Sequence, residues 1–220
     1  GKLMSSLDLF ANDGSEPLST EISEQATLFH QFLLADDEAL LNDIRGVLKQ
    51  SPLRHLATPA GHKMSVKSSS CGSYGWLSDK HGYRYQNIDP VTGQPWPDIP
   101  QSILVKATQV SRLAGFQNFQ PDSCLINVYT PGAKMGLHQD KNEADFSKPI
   151  VSFSFGLPIT FMWGGFKRSD KYQKFSLQHA DALVWGGKDR LRYHGVQQLK
   201  EAMHPLTGRC RVNLTIRQAG

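Results

Sequence analysis

Read as a string of apolar and polar positions, the chain changes character along its length. Between Asp36 and Gln50, Leu40, Leu41, Ile44, Val47 and Leu48 recur at the three- and four-residue spacing of one helix face. Asp36, Asp37 and Glu38 stand where a helix N-terminus favours negative charge, and Ser51-Pro52 stops the pattern. A second stripe, Ile103, Ala107, Val110 and Ala114, predicts a helix from about Pro100 to Ala114. From Asp122 onward the period falls to two. Strands are predicted at Ser123–Tyr129, Ile150–Phe155, Ile159–Trp163, Lys174–His179, Ala182–Trp185, Arg192–Val196 and Cys210–Arg217, punctuated by Pro131-Gly132, Gly156, Gly164-Gly165, Gly186-Gly187 and Gly208. Short strands at this spacing predict a mainly β fold with flanking helices, built on a double-stranded β-helix (jelly roll) core.

The remaining segments lack a clear period. Residues 1 to about 35 open on a polar lead with Asn12-Asp13-Gly14 and Pro17, and residues 51–97 are rich in Gly, Pro, Ser, Tyr and Trp. No internal repeat or linker divides the 220 residues, so one domain is expected over 1–220, with its core at 122–217. No stretch approaches the ~18–20 apolar residues that span a bilayer. The opening GKLMSSLDLF lacks the apolar run of a secretory leader, and Gly1 to Leu3 read as an expression remnant ahead of Met4. Cys71, Cys124 and Cys210 form no CxxC pair, which fits a reducing compartment and a cytoplasmic location. The formal charge of +4 permits an anionic partner without demanding one. Much of the basicity sits in 51–97, where Arg54, Lys63, Lys67, Lys80 and Arg84 face only Asp79 and Asp89.

Three pieces carry chemistry. In Leu137-His138-Gln139-Asp140 an imidazole and a carboxylate two residues apart leave an extended segment on the same side, and together they can chelate a divalent metal. One further histidine completes the two-histidine, one-carboxylate triad of non-haem iron(II) oxygenases, which leaves positions for a cosubstrate and O₂. An isolated HxD recurs by chance in a chain with eight histidines. Tyr193-His194-Gly195 offers the third ligand, in competition with His179 and His204. What favours His194 is the terminal run Arg211-Val212-Asn213-Leu214-Thr215-Ile216-Arg217, polar at odd and apolar at even positions. On a strand this places Arg211, Asn213, Thr215 and Arg217 on one face. Taken alone, that is an ordinary half-exposed strand; beside a metal site, its guanidinium groups suit a five-carbon dicarboxylate. Asn127 and Tyr129 form a second polar pair on one face.

These segments resemble a known family. Cys124-Leu-Ile-Asn-Val-Tyr-Thr-Pro-Gly-Ala-Lys, Leu137-His-Gln-Asp-Lys, Trp185-Gly-Gly with Tyr193-His-Gly, and Asn213-Leu-Thr-Ile-Arg-Gln are similar to the AlkB family of Fe(II)/2-oxoglutarate-dependent nucleic-acid dealkylating dioxygenases. Met64-Ser-Val, Gly75-Trp76, Ile88-Asp-Pro and Pro95-Trp-Pro extend the likeness, which runs from about Leu7 to Gly220. The resemblance implies that His138, Asp140 and His194 hold iron. Tyr129, Asn213 and Arg211 would take the distal carboxylate of 2-oxoglutarate, while Asn127 and Arg217 would serve its metal-chelating end. Trp76, Tyr83 and Arg168 match the family's base pocket and lid, making 51–97 a nucleotide-recognition lid in which Trp76 and His138 flank a flipped base. Asn142 stands where the family carries an aspartate near the base's exocyclic amine; Glu143 beside it is directed elsewhere if the segment is extended.

The implied reaction is oxidative demethylation of bases such as 1-methyladenine and 3-methylcytosine in DNA, and by extension RNA. It uses Fe(II), 2-oxoglutarate and O₂, and yields succinate and formaldehyde. Trp76, Tyr83 and Tyr85 would offer stacking surfaces, while Lys63, Lys67, Lys80 and Arg84 would meet phosphates. The expected assembly is a monomer with nucleic acid as partner and no membrane. One rival is an oxygenase of the same fold acting on a small molecule or protein side chain; another is a jelly-roll binding module without catalysis.

Overall fold

The computed structural model describes residues 17–220; Asn12-Asp13-Gly14, the opening GKLMSSLDLF and the start of the family likeness at Leu7 lie outside the described residues. Two helices form where the apolar stripes predict them, α1 at Asp37–Gln50 and α2 at Gln101–Leu113. Each carries one buried face: Leu40, Leu41, Ile44 and Val47 on α1, and Ile103, Ala107 and Val110 on α2. Burying one such leucine or isoleucine contributes about 1.5–3 kcal/mol, so these faces fix where the helices lie.

The strands are β1 (Ser19–Ser23), β2 (Ala26–Phe29), β3 (Arg54–Ala57), β4 (Lys63–Gly72), β5 (Gly75–Asp79), β6 (Gly82–Gln86), β7 (Ser123–Tyr129), β8 (Met135–His138), β9 (Ile150–Gly156), β10 (Ile159–Trp163), β11 (Gln173–Leu177), β12 (Ala182–Trp185), β13 (His194–Val196) and β14 (Arg211–Arg217). An eight-stranded sheet runs β1-β2-β12-β9-β14-β7-β4-β3, and a four-stranded sheet runs β11-β10-β13-β8. Strands β5 and β6 form a separate hairpin. This two-sheet arrangement is the predicted jelly roll.

Side-chain alternation in the central strands gives the large sheet two different faces. Cys124, Ile126, Val151, Phe153, Phe155, Val184, Leu214 and Ile216 join the helix residues in one apolar cluster. The opposite face meets the small sheet through Tyr129, Ile150, Leu183 and Trp185, packed on Ile159, Phe161, Trp163 and Val196. On β14 the even residues therefore point at the helices, and the odd, polar residues line the cleft between the sheets.

Three local differences from the sequence reading have clear causes. Strand β11 ends at Leu177, before the predicted His179, because the Asp181 carboxylate accepts the backbone N–H of Gln178 at 2.8 Å and of Gln31 at 2.9 Å. Strand β13 starts at His194, since the N–H groups of Arg192 and Tyr193 are engaged by the carbonyls of Asp189 and Gly165. Within 51–97, β3 and β4 extend the large sheet, leaving β5–β6 as the part that stands over the cleft. The cysteines are free, as their spacing implied.

Candidate active site

Strand pairing assembles the metal ligands. His138, the last residue of β8, lies directly across from His194, the first of β13. Asp140 follows two residues beyond the end of β8. One ligand atom from each of the three lies within 4.8 Å of the others; the two Nε2 atoms stand 3.7 and 3.6 Å from Asp140 Oδ1. His138 Nδ1 donates to Gly136 O at 2.8 Å and His194 Nδ1 to Arg192 O at 3.1 Å. A carbonyl can only accept, so Nδ1 carries the proton and each Nε2 lone pair is free to ligate. Burial, reinforced by the neighbouring His138, lowers the His194 pKa to about 4, keeping that imidazole neutral. Burial pushes the Asp140 carboxyl up, but the Arg217 guanidinium outweighs it and holds the acid well below the usual carboxylate range. Two neutral imidazoles and an ionised carboxylate are the donor set of a non-haem iron(II) site. His179 and His204 stand apart from it: their ring centroids lie 4.3 Å apart with 41° between the planes, and His179 Nε2 meets Asp37 at 2.9 Å.

Beside this cluster lies a cavity of about 370 Å³ lined by residues of both sheets and the hairpin, including His138, His194, Arg211, Trp76, Asn142 and Arg168. At its inner end Arg211 is 1% exposed, and its guanidinium carbon lies 5.0 Å from the Tyr129 ring centroid. Its Nη2 donates to Ser154 Oγ at 3.0 Å, while Nε and Nη1 have no partner among the described residues. A buried cation whose Nε and Nη1 donors have no partner asks for an anion, and a carboxylate supplies one. The residues present thus fit both iron(II) and a diacid.

The other polar residues of this face are arranged around that gap. Asn213 Nδ2 donates to Ser152 Oγ at 2.8 Å and to Phe153 O at 3.1 Å, while Asn213 Oδ1 accepts from Thr215. Asn127 Oδ1 accepts from Ser68 Oγ at 2.6 Å. Arg217 is not free to grip a ligand with its whole fork: Nε donates to Asp140 Oδ2 at 3.0 Å and Nη1 to Tyr85 OH at 3.1 Å.

That last contact opens a network that sequence reasoning missed. Tyr85 OH donates to Glu143 Oε2 at 2.6 Å, and Arg190 bridges Glu143 Oε1 at 2.5 Å to the Asp140 backbone carbonyl at 2.7 Å. Tyr85 is therefore a strut between the hairpin and the metal carboxylate, not a stacking surface. Glu143 is buried and paired with Arg190. Arg84 is likewise withdrawn from any phosphate role by its pair with Asp79 at 2.8 Å, and Arg54 by its pair with Asp89 at 2.7 Å. Lys63, Lys67 and Lys80 remain exposed.

At the mouth, Trp76 and Tyr83 stack at 5.6 Å with 16° between their planes, and Tyr83 is half exposed. Trp76 Nε1 donates to Asn142 Oδ1 at 3.2 Å. Across from them, Arg168 lies over the Tyr193 ring at 5.1 Å and donates to the Leu137 carbonyl. The four residues singled out for substrate thus meet around one opening.

Comparison with known proteins gives the same picture. The family model described as the 2OG-Fe(II) oxygenase superfamily matches residues 25–217. The alpha-ketoglutarate-dependent dioxygenase AlkB of Escherichia coli is 49% identical over 97% of this chain and 98% of its own length. The nucleic acid dioxygenase ALKBH1 of Mus musculus is 32% identical over 54% of this chain and 31% of its own. The solved structure of OsALKBH1 superposes with a TM-score of 0.78 at 28% identity, covering 91% of this chain and 100% of that one.

Proposed function

Because the chain belongs to the AlkB family within the 2OG-Fe(II) oxygenase superfamily, we propose that it oxidatively demethylates alkylated bases in nucleic acids, with residues 122–217 as the catalytic core and 51–97 carrying the nucleotide-recognition lid. The single observation that carries this reading is the cleft itself: a two-histidine, one-carboxylate cluster beside a buried, half-partnered arginine, roofed by a stacked tryptophan and tyrosine.

His138, Asp140 and His194 hold the iron through two Nε2 atoms and a carboxylate oxygen. Arg211 would pair with the far carboxylate of 2-oxoglutarate, with Tyr129 walling the guanidinium and Asn213 ordering the strand beside it. Asn127 and Arg217 serve the near end, Arg217 by fixing the orientation of Asp140. Bound iron(II), 2-oxoglutarate and O₂ supply the oxidising chemistry, in which the diacid leaves as succinate and CO₂ and the methyl group leaves as formaldehyde. The protein's own part is orientation and exclusion of water. A base must leave its stack to reach the cluster; Trp76, Tyr83, Asn142 and Arg168 receive it, with His138 on its inner face. Exposed Lys80, in the turn of the β5–β6 hairpin, meets the flanking phosphates, whereas Lys63 and Lys67 leave β4 on the face opposite the cavity-lining Met64 and Ser68. DNA is the proposed substrate, and RNA enters the same site because the contacts are to the base. No helix among the described residues is long and apolar enough to cross a membrane, and the proposed form is a cytoplasmic monomer.

The test follows formaldehyde and succinate with methylated oligonucleotides, with and without iron(II). The expected result is lesion- and iron-dependent release of both, abolished by His138→Ala. Lesion-dependent consumption of 2-oxoglutarate that survives His138→Ala overturns the site assignment.

A further inference from the structure

The wall of the mouth across from the hairpin carries charge and apolar surface that base binding leaves unused. It is the β10–β11 connection, residues 164–172, whose Arg168 lines the cavity. Lys167, Arg168 and Lys171 stand there against one carboxylate, Asp170. A Cβ on Gly165 would collide with that carboxylate, so the glycine lets Asp170 fold back on the loop. Asp170 Oδ2 accepts the Lys167 N–H at 3.0 Å, and the Asp170 N–H donates to the Lys167 carbonyl at 3.0 Å. The one acid is thus turned onto its own backbone, while Lys167 and Lys171 are exposed. The rim is cationic.

Phe166 stands in the middle of that charge. A phenyl ring left 52% exposed forfeits much of the gain from burial, yet this one is held from beneath. The Arg192 guanidinium carbon lies 4.9 Å from its centroid and 5.7 Å from that of buried Trp163. The guanidinium is itself fixed, with Nε donating to Asp189 Oδ1 at 2.6 Å and Nη1 to the Gly164 carbonyl at 2.9 Å. One side of the ring therefore rests on a braced cation, and the rest faces solvent as a flat apolar platform. An unpaired nucleotide needs those two things together, a ring to stack its base on and cations for its phosphates. A base inside a duplex already has both faces stacked, so the platform suits a single strand.

Resting on the demethylase reading, we infer that the β10–β11 connection is a second docking surface, for the stretch of lesion strand that flanks the flipped base. A flanking base stacks on Phe166, and the phosphates beside it lie on Lys167 and Lys171. Arg192 is a positioning residue that holds the platform through its contacts with Asp189 and Gly164. The surface adds affinity for a polynucleotide and none for an isolated lesion.

The experiment measures affinity by calorimetry for the full chain loaded with manganese(II) and 2-oxoglutarate, which binds without turning over. Two ligands carry the same N3-methylcytosine: the single deoxynucleotide, and a single-stranded oligonucleotide of roughly twelve residues, within the ~4–16-nucleotide footprint usual for single-strand binding folds. Phe166→Ala is expected to weaken the oligonucleotide about fivefold or more and to leave the nucleotide within about twofold. Phe166→Trp, which keeps the platform, is expected to bind at least as tightly as wild type. Lys167→Gln with Lys171→Gln should lower the slope of log K against log salt by about 1.4, at ~0.7 for each phosphate contact to a single strand. The 2-oxoglutarate-induced gain in Tm, retained in every variant, serves as the control for folding. An oligonucleotide affinity that Phe166→Ala leaves within about twofold overturns the inference. Equal weakening of the single nucleotide does the same, because it places Phe166 in the base pocket, as does a loss seen only with a lesion-bearing duplex, which gives the loop to the complementary strand. A wild type that with iron(II) releases formaldehyde from neither ligand overturns the demethylase reading instead, and the affinities still judge the loop.

Discussion

Arg211 gives the sharpest test of how the cleft is built, because its roles in stability and in ligand binding have opposite signs. The guanidinium is buried, keeps one hydrogen bond to Ser154 and leaves Nε and Nη1 without partners among the described residues. In the ligand-free protein it is an uncompensated cation. Replacing such a group by an apolar side chain of similar length is commonly neutral or stabilising, even after the loss of one hydrogen bond worth about 0.5–1.5 kcal/mol. Arg211→Met is therefore expected to melt at or above the wild-type temperature when no ligand is present.

With 2-oxoglutarate the sign reverses. Two charge-assisted hydrogen bonds from the guanidinium to the diacid contribute roughly 1.5–3 kcal/mol each, so their loss weakens 2-oxoglutarate binding by about 10²- to 10⁴-fold. The assay is thermal melting with manganese(II) in place of iron, so that no oxidation occurs. At 100 times its Kd a ligand adds about 2.7 kcal/mol, and each kcal/mol moves the Tm of a domain this size by ~2–4 °C. The wild type should gain roughly 5–10 °C from 2-oxoglutarate and the methionine variant nothing measurable. A variant that keeps the ligand-induced gain refutes the assignment of the diacid to this arginine. One that melts well below wild type without ligand refutes the idea that the guanidinium is uncompensated.

Three further outcomes are expected. Trp76→Ala should weaken binding of a methylated oligonucleotide by about 5- to 100-fold, the value of one stacking surface, while leaving the 2-oxoglutarate-induced Tm gain intact; equal loss of both would mean the hairpin collapses. Asp89 accepts from Ser51, from both terminal nitrogens of Arg54 and from the Val91 N–H, so although burial pushes its carboxyl up, these contacts hold it below the usual range. A depressed folded pKa means this stabilisation is complete above the unfolded carboxylate value near ~4 and is lost as pH falls through the folded value. Asp89→Asn should therefore cost roughly 3 kcal/mol at neutral pH and flatten the acid limb of the stability curve, as chemical denaturation from pH 7 to 2 would record. Tyr85→Phe leaves Glu143 and Arg217 short of a partner in a buried setting, at a cost of about 1–3 kcal/mol. Amide exchange should quicken first in the β5–β6 hairpin, and unchanged exchange there would deny the strut its role.

The parts of the fold legible in the sequence are those where one periodicity governs one environment. Strands β7, β10 and β12 begin and end where their apolar runs do; glycine or proline turns bound β7 and β10 on both sides, and Gly186-Gly187 ends β12. Strand β4 was not legible. Its sequence KMSVKSSSCG carries Ser68, Ser69 and Ser70 into the interior, where Ser68 donates to Asn127 and Ser69 to the Ser51 carbonyl, while Ser70 Oγ has no partner among the described residues. A run of serines in the sequence looks like a loop; only the pairing with β7 supplies what replaces water.

The candidate site divides along the same line. The triad was legible because HxD, a distant histidine and the polar–apolar alternation of β14 each constrain geometry locally or through strand pairing. The charges of Glu143, Arg190 and Tyr85's neighbourhood were not, because in a sequence a buried ion pair and two solvated surface charges have the same letters. The distinction matters for Arg217. Read from β14 alone, Arg211 and Arg217 are equivalent grips for one diacid. In the folded chain they stand at opposite ends of the strand, and Arg217 is bound to Asp140, which holds that acid ionised where a ligand must be anionic. Arg211 has no such anion within the protein. One strand thus supplies two identical cations with different counter-ions, one built in and one that has to be brought by the ligand. Exchange of a neutral side chain for each should therefore separate cleanly, with loss of Arg217 weakening metal binding and loss of Arg211 weakening only the diacid.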